Sequence, residues 1–402
     1  MPESAPPLLS DLVRQAAADP RAATGAPIPI VLGQSFAEPS SRRSFLAKAG
    51  ALSLALPGAA LAGCAPGSES GGADSGRGAG AAGGTSAADL AAQNANSKLD
   101  TALTHPDHGS TSTTAATQAA QAAAFRRYDP ALPPLSNERT IRLNWRAQEV
   151  PVRISANTVV AGWTFEGDIP GPIVHCRVGD TVEFTLTNEG VLPHSMDFHA
   201  AQLDPKIAFR SVAQGESVTF QFQPKWAGGF MYHCGTAPVL MHIGAGMYGA
   251  IIVSPREPLP AAKEFVLVQS EFYLGEAAGG IRPFDYNKML STLPDFFAFN
   301  GRPNQYIDAP ITVKVGDRVR FWVVNCGPTH TCAFHVVGEQ FDTMYLGAPP
   351  GTPIRGVQTW DVPAGGGMCF ELVCDIAGEF PFVNHGFGHG QKGAIGFLVV
   401  EP

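Results

Sequence analysis

Apolar and polar residues alternate from Thr140 to the end of the chain, in short runs separated by Gly, Pro, Asn and Asp. The segments TVEFTLT at 181–187 and SVTFQF at 217–222 are typical, each placing every second side chain on one face. Period-two alternation at this spacing predicts strands with one buried face, packed as an antiparallel sandwich or barrel. The pattern also repeats. VGDTV at 178–182 returns as VGDRV at 315–319, and GAIIV at 249–253 returns as GAIGF at 393–397. An all-β protein with two copies of one sandwich is expected, over 128–258 and 259–402.

Upstream the texture changes. Residues 65–127 contain GSESGGADSGRGAGAAGG and then Ala/Thr/Gln-rich sequence. With almost no large apolar side chains to offset the entropy of ordering, they are expected to form a disordered tether. His105 and His108 lie in this polar tract and read as solvated. Residues 1–64 read as a leader, because Arg42 and Arg43 precede an apolar run, Ala49 to Ala62, that ends in LAGC at 61–64. Charge, apolar stretch and small residues in that order indicate export. Pro57 interrupts the run, which is shorter than the roughly 20 apolar residues of a bilayer span, so a transmembrane anchor is not expected. The paired arginines resemble a twin-arginine signal, and LAGC resembles a lipoprotein cleavage box. Together they imply a protein lipidated at Cys64, in the periplasm or on the outer face of the cell membrane. A start codon nearer Ser41 would suffice for such a leader.

Composition narrows the function classes. The 27 Lys+Arg against 35 Asp+Glu give a net charge of −8, without the basic excess that nucleic-acid binding requires. Seven cysteines are too few for a disulfide scaffold and odd in number, so at least one has another task.

Histidine carries the chemistry. His194 and His199 flank Asp197 in PHSMDFHAA at 193–201, and His233 and Cys234 are adjacent ahead of His242 and Met247. A thiolate, two imidazoles and a weak thioether form a blue-copper electron-transfer set: His194, Cys234, His242 and Met247. Any one of these residues alone reads as a core or loop residue; four together do not. In an extended strand neighbouring side chains face opposite ways, so His233 points away from the site that Cys234 enters. With His199 it begins a second metal site, for which His385 is the best third imidazole. Three neutral imidazoles leave an open position, as in a catalytic metal centre. Asp197 and His335 are candidates for proton delivery there, Asp197 alternatively serving to orient a ligand.

These residues resemble the copper-containing nitrite reductases. The resemblance spans about Thr140 to Pro402 and rests on PHSMDFHAA at 193–201, YHCGTAPVLMHIGAGMYGAIIV at 232–253, FNG at 299–301, FHVVGEQFD at 334–342 and VNHGF at 383–387. It is closest to the subgroup with a short loop between Cys and the second His. The resemblance implies two tandem cupredoxin-like Greek-key sandwiches and two coppers per chain. Type 1 copper falls on His194, Cys234, His242 and Met247, and type 2 on His199, His233 and His385. Asp197 and His335 match the active-site acid and base, and Val337 the branched residue over the nitrite site. It further implies a homotrimer with the type 2 copper between subunits, reduction of nitrite to nitric oxide in denitrification or nitrogen metabolism, and electrons from a small cytochrome c or cupredoxin. Cys326, Cys332, Cys369 and Cys374 lie outside the family's needs, and some pairing after export is expected.

Two other readings share parts of this constellation. A laccase-like two-domain multicopper oxidase needs repeated His-x-His pairs, and the chain has none. A type 1 copper electron carrier leaves His199, His233, His385, Asp197 and His335 without a role.

Overall fold

The computed structural model describes residues 124–349 and 351–402. Arg42, Arg43, Cys64 and most of the expected tether fall outside the described residues. No helix among the described residues is long and apolar enough to cross a membrane.

The strands up to Ser254 are β1 (Thr140–Arg153), β2 (Val159–Phe165), β3 (Val174–Arg177), β4 (Thr181–Asn188), β5 (Asp197–Phe198), β6 (Ser217–Phe222), β7 (Gly228–His233) and β8 (Tyr248–Ser254). Short helices α1 (Pro205–Ala208) and α2 (Val239–Gly244) interrupt them. They form a sheet of order β2-β1-β4-β6 and a second of order β3-β8-β7-β5. The alternation read from sequence is realised in β4 and β6, whose every second residue is buried.

The remaining strands are β9 (Lys263–Phe272), β10 (Ile281–Arg282), β11 (Phe296–Phe299), β12 (Ala309–Lys314), β13 (Arg318–Gly327), β14 (Cys332–Val336), β15 (Thr343–Tyr345), β16 (Pro353–Ile354), β17 (Thr359–Val362), β18 (Gly367–Val373), β19 (Gly378–Asn384) and β20 (Ile395–Glu401). Helices α3 (Tyr286–Leu290), α4 (Gln305–Asp308) and α5 (Phe387–Gln391) lie among them. They build sheets of order β11-β9-β13-β18-β15-β16 and β12-β20-β19-β14-β17, while β10 joins the edge of the first sheet beside β2. The repeated VGD turns match in detail: Asp180 accepts from Arg177 N–H at 2.8 Å and Asp317 from Lys314 N–H at 2.9 Å.

The sheets are not purely antiparallel. β1 runs parallel to β4, β3 to β8, β9 to β13 and β12 to β20. Alternation reports a buried face and is blind to strand direction, which explains the difference from the expectation.

β13 departs from alternation because both of its faces are covered. Phe321 and Val323 enter one apolar cluster, while Trp322 and Val324 enter the cluster centred on the earlier strands. Close approach completes this contact: a Cβ on Gly367 of β18 would lie 2.1 Å from the carbonyl oxygen of Gly229 in β7.

At the boundary with the expected tether Arg126 O accepts from Arg302 Nε at 3.1 Å, and Tyr128 N–H donates to Gln305 at 2.7 Å. One further expectation is corrected. The six described cysteines are free thiols. Cys326 and Cys369 are packed in one apolar cluster, and Cys332 and Cys374 in the other, where they act as small hydrophobes.

Candidate metal centres

Among the described residues, two groups of metal-competent side chains form, and both depend on the end of β7. His233 is its last residue and Cys234 follows. The first group is His194, Cys234 and His242, all buried, with one donor atom from each within 4.8 Å of the others.

Local backbone geometry brings these three together. Cys234 N–H donates to Met247 O at 3.1 Å and Met247 N–H donates to His242 O at 3.1 Å, closing the loop that carries α2. The turn requires Gly246, at φ +118°, where a Cβ would lie 2.4 Å from Ile169. His194 is placed by a bridge to Val212. As a result His194 Nδ1 lies 3.3 Å from His242 Nδ1, and Cys234 Sγ lies 3.2 Å from the same atom. Ser195 N–H donates to Cys234 Sγ at 3.4 Å. The Met247 side chain is fully buried in the same apolar cluster. Trp163 stands edge-on to His242 with ring centres 4.9 Å apart.

The electrostatics favour ligand forms at Cys234 and His242; at His194 burial lowers the imidazole, but its contacts with Cys234 and Glu149 outweigh it and leave it above its ordinary value. Burial raises the Cys234 thiol, but the contact with His194 and the backbone N–H groups of Ser195 and Thr236 outweigh it, leaving the thiol below its ordinary value. Burial pushes His242 down to about 4, against the pull of Glu149. A thiolate and neutral imidazoles are the forms that bind a metal, and the soft sulfur suits copper.

The second group is Asp197, His199 and His233. Asp197 and His233 are cross-strand partners in β5 and β7, and His199 follows β5. His233 Nδ1 faces Cys234 O at 2.9 Å and His199 Nδ1 faces Gly365 O at 3.1 Å. A carbonyl only accepts, so in the neutral rings both Nδ1 atoms carry the proton and both Nε2 atoms are bare. Those bare nitrogens face each other at 3.1 Å, an arrangement that a cation between them satisfies and a hydrogen bond does not. Asp197 Oδ2 lies 3.5 Å from His233 Nε2 and 3.8 Å from His199 Nε2. Burial raises the Asp197 carboxyl, and both histidines draw it back only in part.

His335 and His385 lie apart from this group in the chain. His335 is in β14, with Nδ1 2.6 Å from Gln358 O, and its ring centre is 5.2 Å from that of His385, which follows β19. His385 is exposed and rests against Phe387 at 4.6 Å. Val337, half-buried just past β14, donates its N–H to Pro381 O at 2.7 Å.

No motif in the sequence marks Glu149, Trp163 or Gly365 as part of these groups. Glu149 accepts from His194 Nε2 at 2.7 Å across a separation of 45 residues, and nothing in the spacing announces that contact.

A multicopper oxidase family model matches residues 146–258. A copper-containing nitrite reductase of Neisseria meningitidis serogroup A is 38% identical over 290 residues, covering 69% of this chain and 75% of that protein. One from Cereibacter sphaeroides is 30% identical over 297 residues, covering 67% and 77%. The solved copper nitrite reductase of Nitrosomonas europaea superposes with a TM-score of 0.61 at 34% identity, over 65% of this chain and 94% of that one.

Proposed function

The chain belongs to the copper-containing nitrite reductases, and from that premise we propose how its residues divide the reduction of nitrite to nitric oxide. His194, Cys234, His242 and Met247 hold a type 1 copper. His199 and His233, with the partner subunit's His385, hold a type 2 copper, giving two coppers per chain. When bound, the coppers supply one-electron transfer at the thiolate site and a redox-active Lewis acid for nitrite at the imidazole site.

The observation that carries this reading is the pair of Nε2 atoms 3.1 Å apart beside Asp197, set one residue along the chain from the buried Cys234 thiol. Adjacent residues at the end of one strand thus serve both groups, which ties the two sites covalently. Asp197, with its carboxyl raised by burial, holds a proton nearer to neutral pH than an exposed aspartate does. His335 supplies the second proton, and Val337 bounds the space for nitrite.

The homotrimer implied by the resemblance is supported by the placement of His385. Within one chain it stays outside the Asp197, His199 and His233 group, and an exposed imidazole beside exposed Phe387 is available to a neighbouring copy. Electrons enter near the type 1 site, where Ile207, Phe209 and Val239 are exposed and Phe209 packs over Gly235. A small cytochrome c or cupredoxin with an apolar contact face suits that surface. Export through the twin-arginine leader, with lipid attachment at Cys64, places the enzyme outside the cytoplasm, in denitrification.

Anaerobic turnover of nitrite by copper-loaded protein, with a reduced dye as donor, tests the whole reading. Nitric oxide, about two coppers per chain and a trimer in sedimentation are expected. Both coppers without nitric oxide would assign the scaffold to another substrate, and one copper per chain would reduce it to an electron carrier.

A further inference from the structure

Glu149 in β1 is half-buried, with its side chain 5% exposed, and touches a proposed ligand from behind. Its carboxylate accepts the Val191 and Leu192 N–H groups at 2.8 and 3.2 Å, and it meets His194 Nε2 at 2.7 Å. The backbone bonds tie down the loop that leads into His194. The third bond selects one tautomer, with the proton on Nε2 and a bare Nδ1 directed toward His242 and Cys234.

The chain contains an internal control for this arrangement. Glu149 is paired across strands with Trp163, as Glu271 is with Phe297. Glu271 accepts the Thr329 and His330 N–H groups at 3.1 and 2.6 Å, the same tie on the equivalent loop. The closing loop is repeated too, with Asn384 N–H to Ala394 O at 3.0 Å and Ala394 N–H to His389 O at 3.2 Å. There Asn384 stands where Cys234 does and Ala394 where Met247 does. Cys332, paired with Val362, stands where His194, bridged to Val212, does. With no imidazole in that place, Glu271 takes the Tyr273 hydroxyl instead. The loop tie is therefore common to both halves. The carboxylate–imidazole contact belongs only to the half that carries the ligand set.

We infer that Glu149 is a positioning residue of the type 1 site, fixing the His194 tautomer and, by holding an anion against its remote nitrogen, lowering the reduction potential of the copper. This rests on the proposed type 1 site. The anion favours the oxidised, more positive metal, so the electron is passed on more readily toward the His199 and His233 site.

Redox titration of the type 1 absorption in copper-loaded, full-length protein tests it, comparing Glu149→Gln with Glu271→Gln. Glu149→Gln should bind both coppers and hold the electron at the type 1 site about tenfold more firmly, a rise of about 59 mV for a one-electron couple. Glu271→Gln, which loosens the matching loop, should leave the potential unchanged. Equal potentials in Glu149→Gln and the unaltered protein, or equal shifts in both variants, would reduce Glu149 to a loop tie. Should Glu149→Gln fail to fold, proton NMR of the unaltered, reduced protein decides: a slowly exchanging His194 Nε2 proton supports the inference, and its absence overturns it. Unaltered protein without type 1 absorption overturns the site assignment itself, whereas normal absorption with an unmoved potential overturns only the role of Glu149.

Discussion

Replacing Asp197 by Asn separates proton delivery from metal binding. The exchange keeps the shape of the side chain and removes its acid. Asp197 Oδ2 stands 3.5 and 3.8 Å from the two Nε2 atoms, too far to count as their hydrogen-bond anchor. The rings are instead oriented by Cys234 O and Gly365 O. Both coppers should therefore remain. A positioned general acid contributes about 10²–10⁴ in rate, so nitrite turnover should fall by that factor, about 2.7–5.4 kcal/mol in barrier. Stability moves the other way. The folded Asp197 carboxyl titrates above its ordinary 3.8, so in copper-free protein its contribution is fully present below that value and is lost as pH rises through the raised folded pKa. At neutral pH copper-free Asp197→Asn should melt no lower than the unaltered protein. Steady-state nitrite reduction, copper analysis and thermal melts measure all three. Turnover within twofold of the parent, or loss of one copper, would refute the reasoning.

Other perturbations probe other parts of the molecule. His385→Ala should remove one copper per chain and nitrite turnover while leaving the type 1 absorption; retention of both coppers, by elemental analysis, would exclude His385 as a ligand. Gly367→Ala sets a Cβ 2.1 Å from Gly229 O, and overpacking of this kind should destabilise by about 1–3 kcal/mol in denaturant titration, with an unchanged midpoint counting against the close contact. The thiols of Cys176, Cys326 and Cys332 are buried, with pKa values raised by that burial, so a maleimide reagent at neutral pH should label them only after unfolding. Labelling of these cysteines in the native state would contradict their packing.

Much of this could be read from local sequence. The alternation in 181–187 and 217–222 predicts β4 and β6 because a strand with one dry face must carry apolar residues at every second position. β13 escapes that rule, since Trp322 and Phe321 are both buried, on opposite faces, and a fully apolar run cannot say what covers each side. Cys234, His242 and Met247 share one short loop, so their spacing carries their meaning. The offset of His233 from Cys234 follows from strand geometry alone.

Which donor atoms are available, and how those close in the chain are spaced, is written in the amino-acid order, because backbone geometry couples neighbours rigidly. Which distant groups complete them depends on how the sheets pack. Glu149 reaches His194 from 45 residues away and Gly365 O orients His199 from 166 residues away. That packing also leaves His385, an exposed imidazole, outside the group that His199 and His233 form with Asp197. Such contacts are made through space by strand order and sheet packing. A linear pattern of polar and apolar residues records that a side is buried, but not which partner buries it.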